Sequence, residues 1–165
     1  MAESPDSASV DHELDAPPWR RFESTLMATS RSIRRAYDLR LGEIGLNLSQ
    51  ACLLAYVAEH GPVTQTHVAE RIGMGRAPAG AIVDNLSDRS LLVRLPHPGD
   101  RRVWLLSATA QGLERAARIA EVDMALRTEL REGLSREERH QLAETLVRLQ
   151  SNLAGVFERH AGPEA

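Results

Sequence analysis

At 165 residues, 42% of them apolar, and with a formal net charge of −3, the chain has room for one packed domain plus an association element. No apolar run approaches the roughly 18 residues that span a bilayer, no charged-then-apolar leader stands at the start, and a single cysteine, Cys52, excludes an internal disulfide; a cytoplasmic protein is the expectation. All 20 basic residues are arginine, whose fork suits phosphates and guanine edges.

Charge is unevenly spread. Residues 1–17 hold Glu3, Asp6, Asp11, Glu13 and Asp15 and no arginine, which leaves the rest of the chain at a net +2. This acidic, Ser/Pro-containing tail is expected to be disordered. The body is mildly basic, which permits nucleic acid as a partner without announcing it.

From Trp19 to Leu41, the residues Phe22, Leu26, Ile33, Tyr37 and Leu41 keep helical spacing, and Gly42 and Gly45 loosen the end of that helix. Ser49 reads as the N-cap of a helix over 50–59, with Leu48 and Leu53 as a hydrophobic staple. Thr64 caps a short helix that stops at Gly73, with Val63 and Val68 in staple positions. A further helix over about 76–90 tolerates Pro78 in its first turn, and Ala79, Ile82, Val83 and Leu86 form its buried stripe. The runs Leu91–Leu95 and Val103–Ser107 flank "PHPGDRR" and read as a hairpin with a long tip. Thr109 caps a long helix to about Glu132, and Ser135 with Glu138 forms a capping box for the last one. In that last helix Leu142, Leu146, Leu149, Leu153 and Val156 recur at 4-3-4-3 spacing, the seam of two packed helices.

A short helix, a glycine-containing turn and a second helix make a helix-turn-helix, and the hairpin after it makes the winged form. Such a module sets its second helix in a major groove, and arginines at the wing suit the adjacent minor groove. On the recognition face Arg76 is the candidate for a bidentate guanine contact, while Ala77, Gly80 and Ala81 allow close approach and methyl contacts. Gly80 costs about 1 kcal/mol against alanine in mid-helix, which calls for a reason. Phosphate would repel Asp84, so it is expected to organise a neighbouring arginine. Asp100 is expected to brace the wing by pairing with Arg102. Cys52 has no basic residue within several positions and is read as a buried or incidental thiol. Glu137 and His140 have E-x-x-H spacing without a second such motif, so neither metal nor cofactor is expected. With no phosphate loop or nucleophile elbow, neither is an enzyme.

The stretch Leu46–Gly112 also resembles the winged helix-turn-helix of MarR-type transcriptional regulators. The resemblance is carried by Val83-Asp84-Asn85-Leu86, by Leu91-Leu92, by Asp100-Arg101-Arg102 and by Thr109-x-x-Gly112, and with the flanking helices it covers about residues 19–160. It implies a mainly α fold with a small β-hairpin wing, in which a DNA-binding winged helix-turn-helix (46–108) is embedded in a helical dimerisation region (18–45 and 109–160). It further implies a homodimer on double-stranded DNA, reading a pseudo-palindromic operator with half-sites about one turn apart. The expected DNA-binding residues are Thr64, Gln65, Arg76, Ala77, Pro78, Gly80, Ala81, Arg101 and Arg102; the expected dimer interface is Phe22, Leu142, Leu146, Leu149 and Leu153.

Members of that family commonly repress transcription, and many are released by small, often aromatic ligands or by oxidants. Tyr37 and Tyr56, with Trp19, are candidates to line an effector pocket, the alternative being ordinary core aromatics. The chain departs from the family pattern at Gly75, where Ser or Thr usually caps the recognition helix, at Ala108 in place of leucine, and at Ser90 in place of glycine, which should strain the turn into the wing. The expected function is a ligand-responsive transcriptional repressor. The modest charge and the small recognition face keep open the alternative of a winged-helix module for protein–protein assembly.

Overall fold

The computed structural model describes residue 17 and residues 21–160, without the side chains of Arg101 and His160. The acidic tail (apart from Pro17) and Trp19 lie outside the described residues. Six helices and three short strands follow one another: α1 (Phe22–Gly42), α2 (Leu48–His60), β1 (Val63–Thr64), α3 (Gln65–Arg71), α4 (Arg76–Asp88), β2 (Leu92–His97), β3 (Asp100–Ala108), α5 (Ala110–Leu130) and α6 (Arg136–His160).

The start of α2 differs from the sequence expectation. Asn47, not Ser49, is the cap: its Oδ1 accepts from Gln50 N at 2.9 Å, and Gln50 Oε1 accepts from Asn47 N at 3.0 Å. This reciprocal box satisfies two orphan donors where a Ser49 cap would satisfy one, and Asp38 Oδ1 takes a third, Leu48 N, at 2.7 Å. The staple positions therefore fall on Leu46 and Ala51, both buried. Thr64 caps α3 as expected, accepting from His67 N at 3.2 Å. α4 buries Ala79, Val83 and Leu86 and ends two residues earlier than its periodicity predicts.

The wing also departs from expectation. The three-stranded antiparallel sheet has the order β1-β3-β2. β1 pairs Val63 with Leu106 and Thr64 with Leu105; at two residues it is too short to show any alternation in sequence. Only Pro98 and Gly99 separate β2 from β3, so the tip is tight, not long. The register jumps from Pro96↔Trp104 to His97↔Asp100, so that one step along β2 answers to four along β3. The excess length is a bulge at Arg101–Val103, a device that re-aims side chains near a sheet edge.

Two close approaches fasten the sheet to the helices. Thr109 Oγ1 donates to Ser90 O at 2.6 Å and accepts from Gly112 N at 3.0 Å, so one hydroxyl caps α5 and ties it to the entry of the wing. A Cβ on Gly112 would overlap the Leu91 carbonyl oxygen, which explains the Thr-x-x-Gly spacing. Ser90 adopts φ +57°, the left-handed conformation expected to strain this turn. Ser90→Gly is expected to raise stability by roughly 0.5–1 kcal/mol, relief of the left-handed cost exceeding the added freedom of the unfolded chain. A higher denaturant midpoint at unchanged m-value would register it.

The core gathers Leu41, Leu46, Leu53, Leu54, Val57, Val68, Val83, Leu86, Leu91, Leu92, Leu106 and Ile119, all within the first of two compact units, which runs to Leu126. The second unit begins at Arg127 and contains α6, whose Ser135–Glu138 capping box forms as predicted, with Ser135 N donating to Glu138 Oε2 at 2.7 Å and Glu138 N to Ser135 Oγ at 3.2 Å. The hydrogen bonds from Ser135 hold the Glu138 carboxyl below its ordinary pKa. A groove of about 840 Å³ in this unit has Leu130, Leu134, Leu142 and Leu146 among its walls. No described helix is long and apolar enough to cross a membrane.

Candidate nucleic-acid interface

The first two turns of α4 are the open part of the helix-turn-helix. Arg76, Ala77, Pro78 and Ala81 are exposed, while Ala79, one step away, is buried. The helix starts at Gly75 without a side-chain cap and has no acidic residue in its first turn. Its first N–H groups and Arg76 thus present positive potential without an internal anion, a setting that suits phosphate.

At Gly80 the structure shows one close neighbour. A Cβ there would come within 3.3 Å of Gln65 Nε2 on α3, the end of a flexible side chain that can move aside by a few tenths of an ångström. The sequence expectation assigns the cost of this glycine to approach of DNA, and the contact with Gln65 does not replace that reason. Gln65 thereby lies at the first turn of α3, against the middle of α4. The Thr64 hydroxyl oxygen is engaged in capping α3.

Two contacts orient α4. Gln50 Nε2 donates to Asn85 Oδ1 at 3.0 Å, which links the cap of α2 to the recognition helix. Asp84 does hold a neighbouring arginine: Arg94 Nη2 on β2 meets Asp84 Oδ1 at 2.5 Å. Sequence reasoning does not name Arg94. Placing the first wing strand against the polar side of α4 is the signal that would find it.

At the wing, Arg102 N donates to Asp100 Oδ1 at 2.9 Å, and Arg102 Nε stands 3.8 Å from the same oxygen. Asp100 therefore pins the backbone of the bulge, as the bracing role requires. The Arg102 side chain remains 95% exposed, so the loose ion pair leaves it open to a second anion. The side chain of Arg101 is outside the described residues.

The candidate effector residues occupy different settings. Tyr37 OH donates to Asp123 Oδ1 at 2.8 Å, joining α1 to α5. Tyr56 stacks on His60 at 4.3 Å and its hydroxyl lies 3.0 Å from His67 Nε2. Cys52 is exposed, not buried. Partial desolvation nevertheless pushes its pKa up, opposed by Arg34 and reinforced by Asp123, so an arginine distant in sequence is near in space, and the thiol stays protonated at neutral pH. Of the expected interface residues, Phe22 is 42% exposed and Leu142 and Leu153 are 53% and 51% exposed; Leu146 and Leu149 are half-buried.

A short helix, a turn, an open second helix ion-paired to a β-hairpin, and an arginine-bearing bulge on that hairpin make up a winged helix-turn-helix. Residues 44–103 match the model of the MarR family. A curated relative from Bacillus subtilis (strain 168), the uncharacterized HTH-type transcriptional regulator YdgJ, is 23% identical over 112 residues, 68% of each chain. The S. aureus MepR–DNA complex superposes with a TM-score of 0.75 at 20% identity, covering 79% of this chain and 97% of that one. CouR from Rhodococcus jostii RHA1, solved with p-coumaroyl-CoA, does so with 0.65 at 24% identity, covering 74% and 86%. Over residues 44–103 the winged module of this chain is thus similar to the MarR family.

Proposed function

We propose that this chain is a homodimeric, cytoplasmic transcriptional repressor that binds a pseudo-palindromic operator and is released by a small aromatic effector. The observation that carries the DNA-binding part is the exposed set Arg76, Ala77, Pro78 and Ala81 at the start of α4, held by the Asp84–Arg94 pair to a wing whose bulge leaves Arg102 open. In this reading α4 enters the major groove and Arg76 contacts a base edge. Gln65 and the backbone at Pro78 approach the sugar-phosphate chain, and the wing arginines reach the next minor groove. MepR, solved on DNA, supports the docking. The apolar residues left open on α1 and α6, Phe22 and the leucine seam among them, support a second copy as partner. For the effector, CouR with its bound thioester is the supporting case, and Tyr37 with Asp123, near Cys52 and Arg34, is the group of polar side chains nearest in character to a ligand site. A ligand there would release DNA only by binding the two arrangements of the dimer unequally.

Binding to a duplex from directly upstream of the chain's own coding sequence, followed by fluorescence anisotropy at two salt concentrations, tests the reading. Tight binding that weakens steeply with salt is the expected result; no binding at low salt by an intact dimer overturns it in favour of a protein partner. Arg102→Ala is expected to weaken binding by roughly tenfold on every sequence. The slope of log K against log salt should shrink by about 0.9 for each phosphate that the arginine no longer neutralises. An unchanged slope would remove Arg102 from the interface.

A further inference from the structure

We infer that Trp104 is a DNA-contacting residue that rests its ring on the sugar-phosphate backbone between the groove entered by α4 and the groove reached by the wing. The inference rests on the DNA-binding reading above and adds to it a contact the arginines do not supply.

The face of the wing on which Trp104 stands follows from register. Arg94 is opposite Leu106, and Pro96 is opposite Trp104; opposed residues share a face, as do residues two apart on one strand. Leu106 is fully buried in the core, and Arg94 reaches Asp84 on α4. Trp104 therefore projects from the face that turns toward the recognition helix, one pair nearer the tip than the Arg94–Asp84 bridge. The core does not extend that far, and the ring is 54% exposed. Immediately beyond it the register breaks into the bulge that carries Arg102.

A large flat side chain held on a short strand, flanked by Arg94 on one side and Arg102 on the other, is poorly explained by folding. It fills no part of the core, and a polar residue would serve a solvated sheet edge better. Against duplex DNA the arrangement is coherent. Arg102 supplies charge for a phosphate, and the ring supplies apolar area for the deoxyribose faces beside it, in a setting aimed by the Arg94–Asp84 ion pair to the recognition helix. Such a contact carries little sequence information, since every nucleotide presents a sugar. It neutralises no phosphate, so it adds affinity without adding to the salt slope.

Trp104 is one of two tryptophans in the chain, so Trp19→Phe isolates its emission. With the upstream duplex as probe, the emission of Trp104 in that variant is expected to change in step with binding measured by anisotropy. In the same background Trp104→Ala should lose about tenfold in affinity for every sequence with the salt slope unaltered, and Trp104→Phe should stay within about threefold of the parent. Emission that is unmoved at saturating DNA, or a Trp104→Ala chain that binds as tightly as its parent, overturns the inference while the DNA-binding reading stands. Failure of the parent to bind defeats both. A change in emission that follows protein concentration without DNA assigns the ring to self-association, and also overturns it.

Discussion

Leu149→Glu is expected to yield a folded monomer at concentrations where the parent chain is a dimer, and to remove measurable operator binding. The residue lies at the middle of the α6 seam, between Leu142 and Leu146 on one side and Leu153 and Val156 on the other. No described residue of α6 is fully buried within the single chain, so the substitution leaves the core of the winged module untouched. In a two-fold dimer the same patch meets itself, and one substitution places two carboxylates in the apolar contact. Each would have to be desolvated without a partner or protonated, at a cost of several kcal/mol, more than most dimer contacts spare. Operator binding then falls because two linked modules become two independent ones, which forfeits on the order of 10²–10⁴ in avidity. Sedimentation velocity and anisotropy on one preparation would read both effects. A variant that stays dimeric sinks the assignment of the seam. One that is monomeric yet binds the operator as tightly as the parent sinks the link between dimer and DNA.

The second large effect is on stability. Gly112→Ala is expected to cost about 3 kcal/mol, the upper range for overpacking a well-filled site, and to lower the midpoint of thermal unfolding by roughly 6–12 °C for a chain of this length. The added methyl would overlap the carbonyl oxygen of Leu91, and that carbonyl has little room to retreat. It accepts from Thr109 N at 3.2 Å, and Leu91 N in turn donates to Leu86 O at 2.9 Å. The neighbouring Ser90 carbonyl is held by the Thr109 hydroxyl. Relief would have to come from lifting the start of α5 off the entry to the wing, which exposes Leu91 and Leu92 from the core. Differential scanning calorimetry on the variant would show the loss; a midpoint within about one degree of the parent would mean that the helix start is softer than these contacts indicate.

These two sites differ in how openly the sequence displays them. The 4-3-4-3 spacing of the α6 leucines is periodic, and the Ser135–Glu138 box and the Thr64 and Thr109 caps are local signals that survive folding unchanged, because each involves groups within four residues. The strained turn at Ser90 is expected from the family resemblance, at a position where glycine is usual, and the residue is left-handed. Gly112 stands in the sequence only as part of a motif; its cause, the backbone of Leu91 pressed against it, lies across the chain.

The N-cap of α2 goes to Asn47 over Ser49 because Gln50 serves two partners at once, and one of them, Asn85, is on another helix. Nothing local reveals that the amide of Gln65, on another helix, stands beside Gly80. The wing shows the same division. Two β-prone apolar runs announce two strands, but the bulge at Arg101–Val103, the tight tip and the pairing of β1 with β3 depend on register between segments, which no single segment encodes.

By itself, then, the sequence determined the order of the elements, most of their caps, the buried stripe of α4, the arginines at the wing and the winged helix-turn-helix they compose. Periodicity and capping act over a turn or a hairpin and are written in neighbouring residues. Tertiary structure alone decided that Asp84 takes Arg94, that Arg34 stands near Cys52, that Gly112 is a glycine for an internal reason, and that Trp104 shares a sheet face with Arg94 and Leu106. Each of these depends on which surfaces meet when the core closes, and that choice is made by the packing of the whole module.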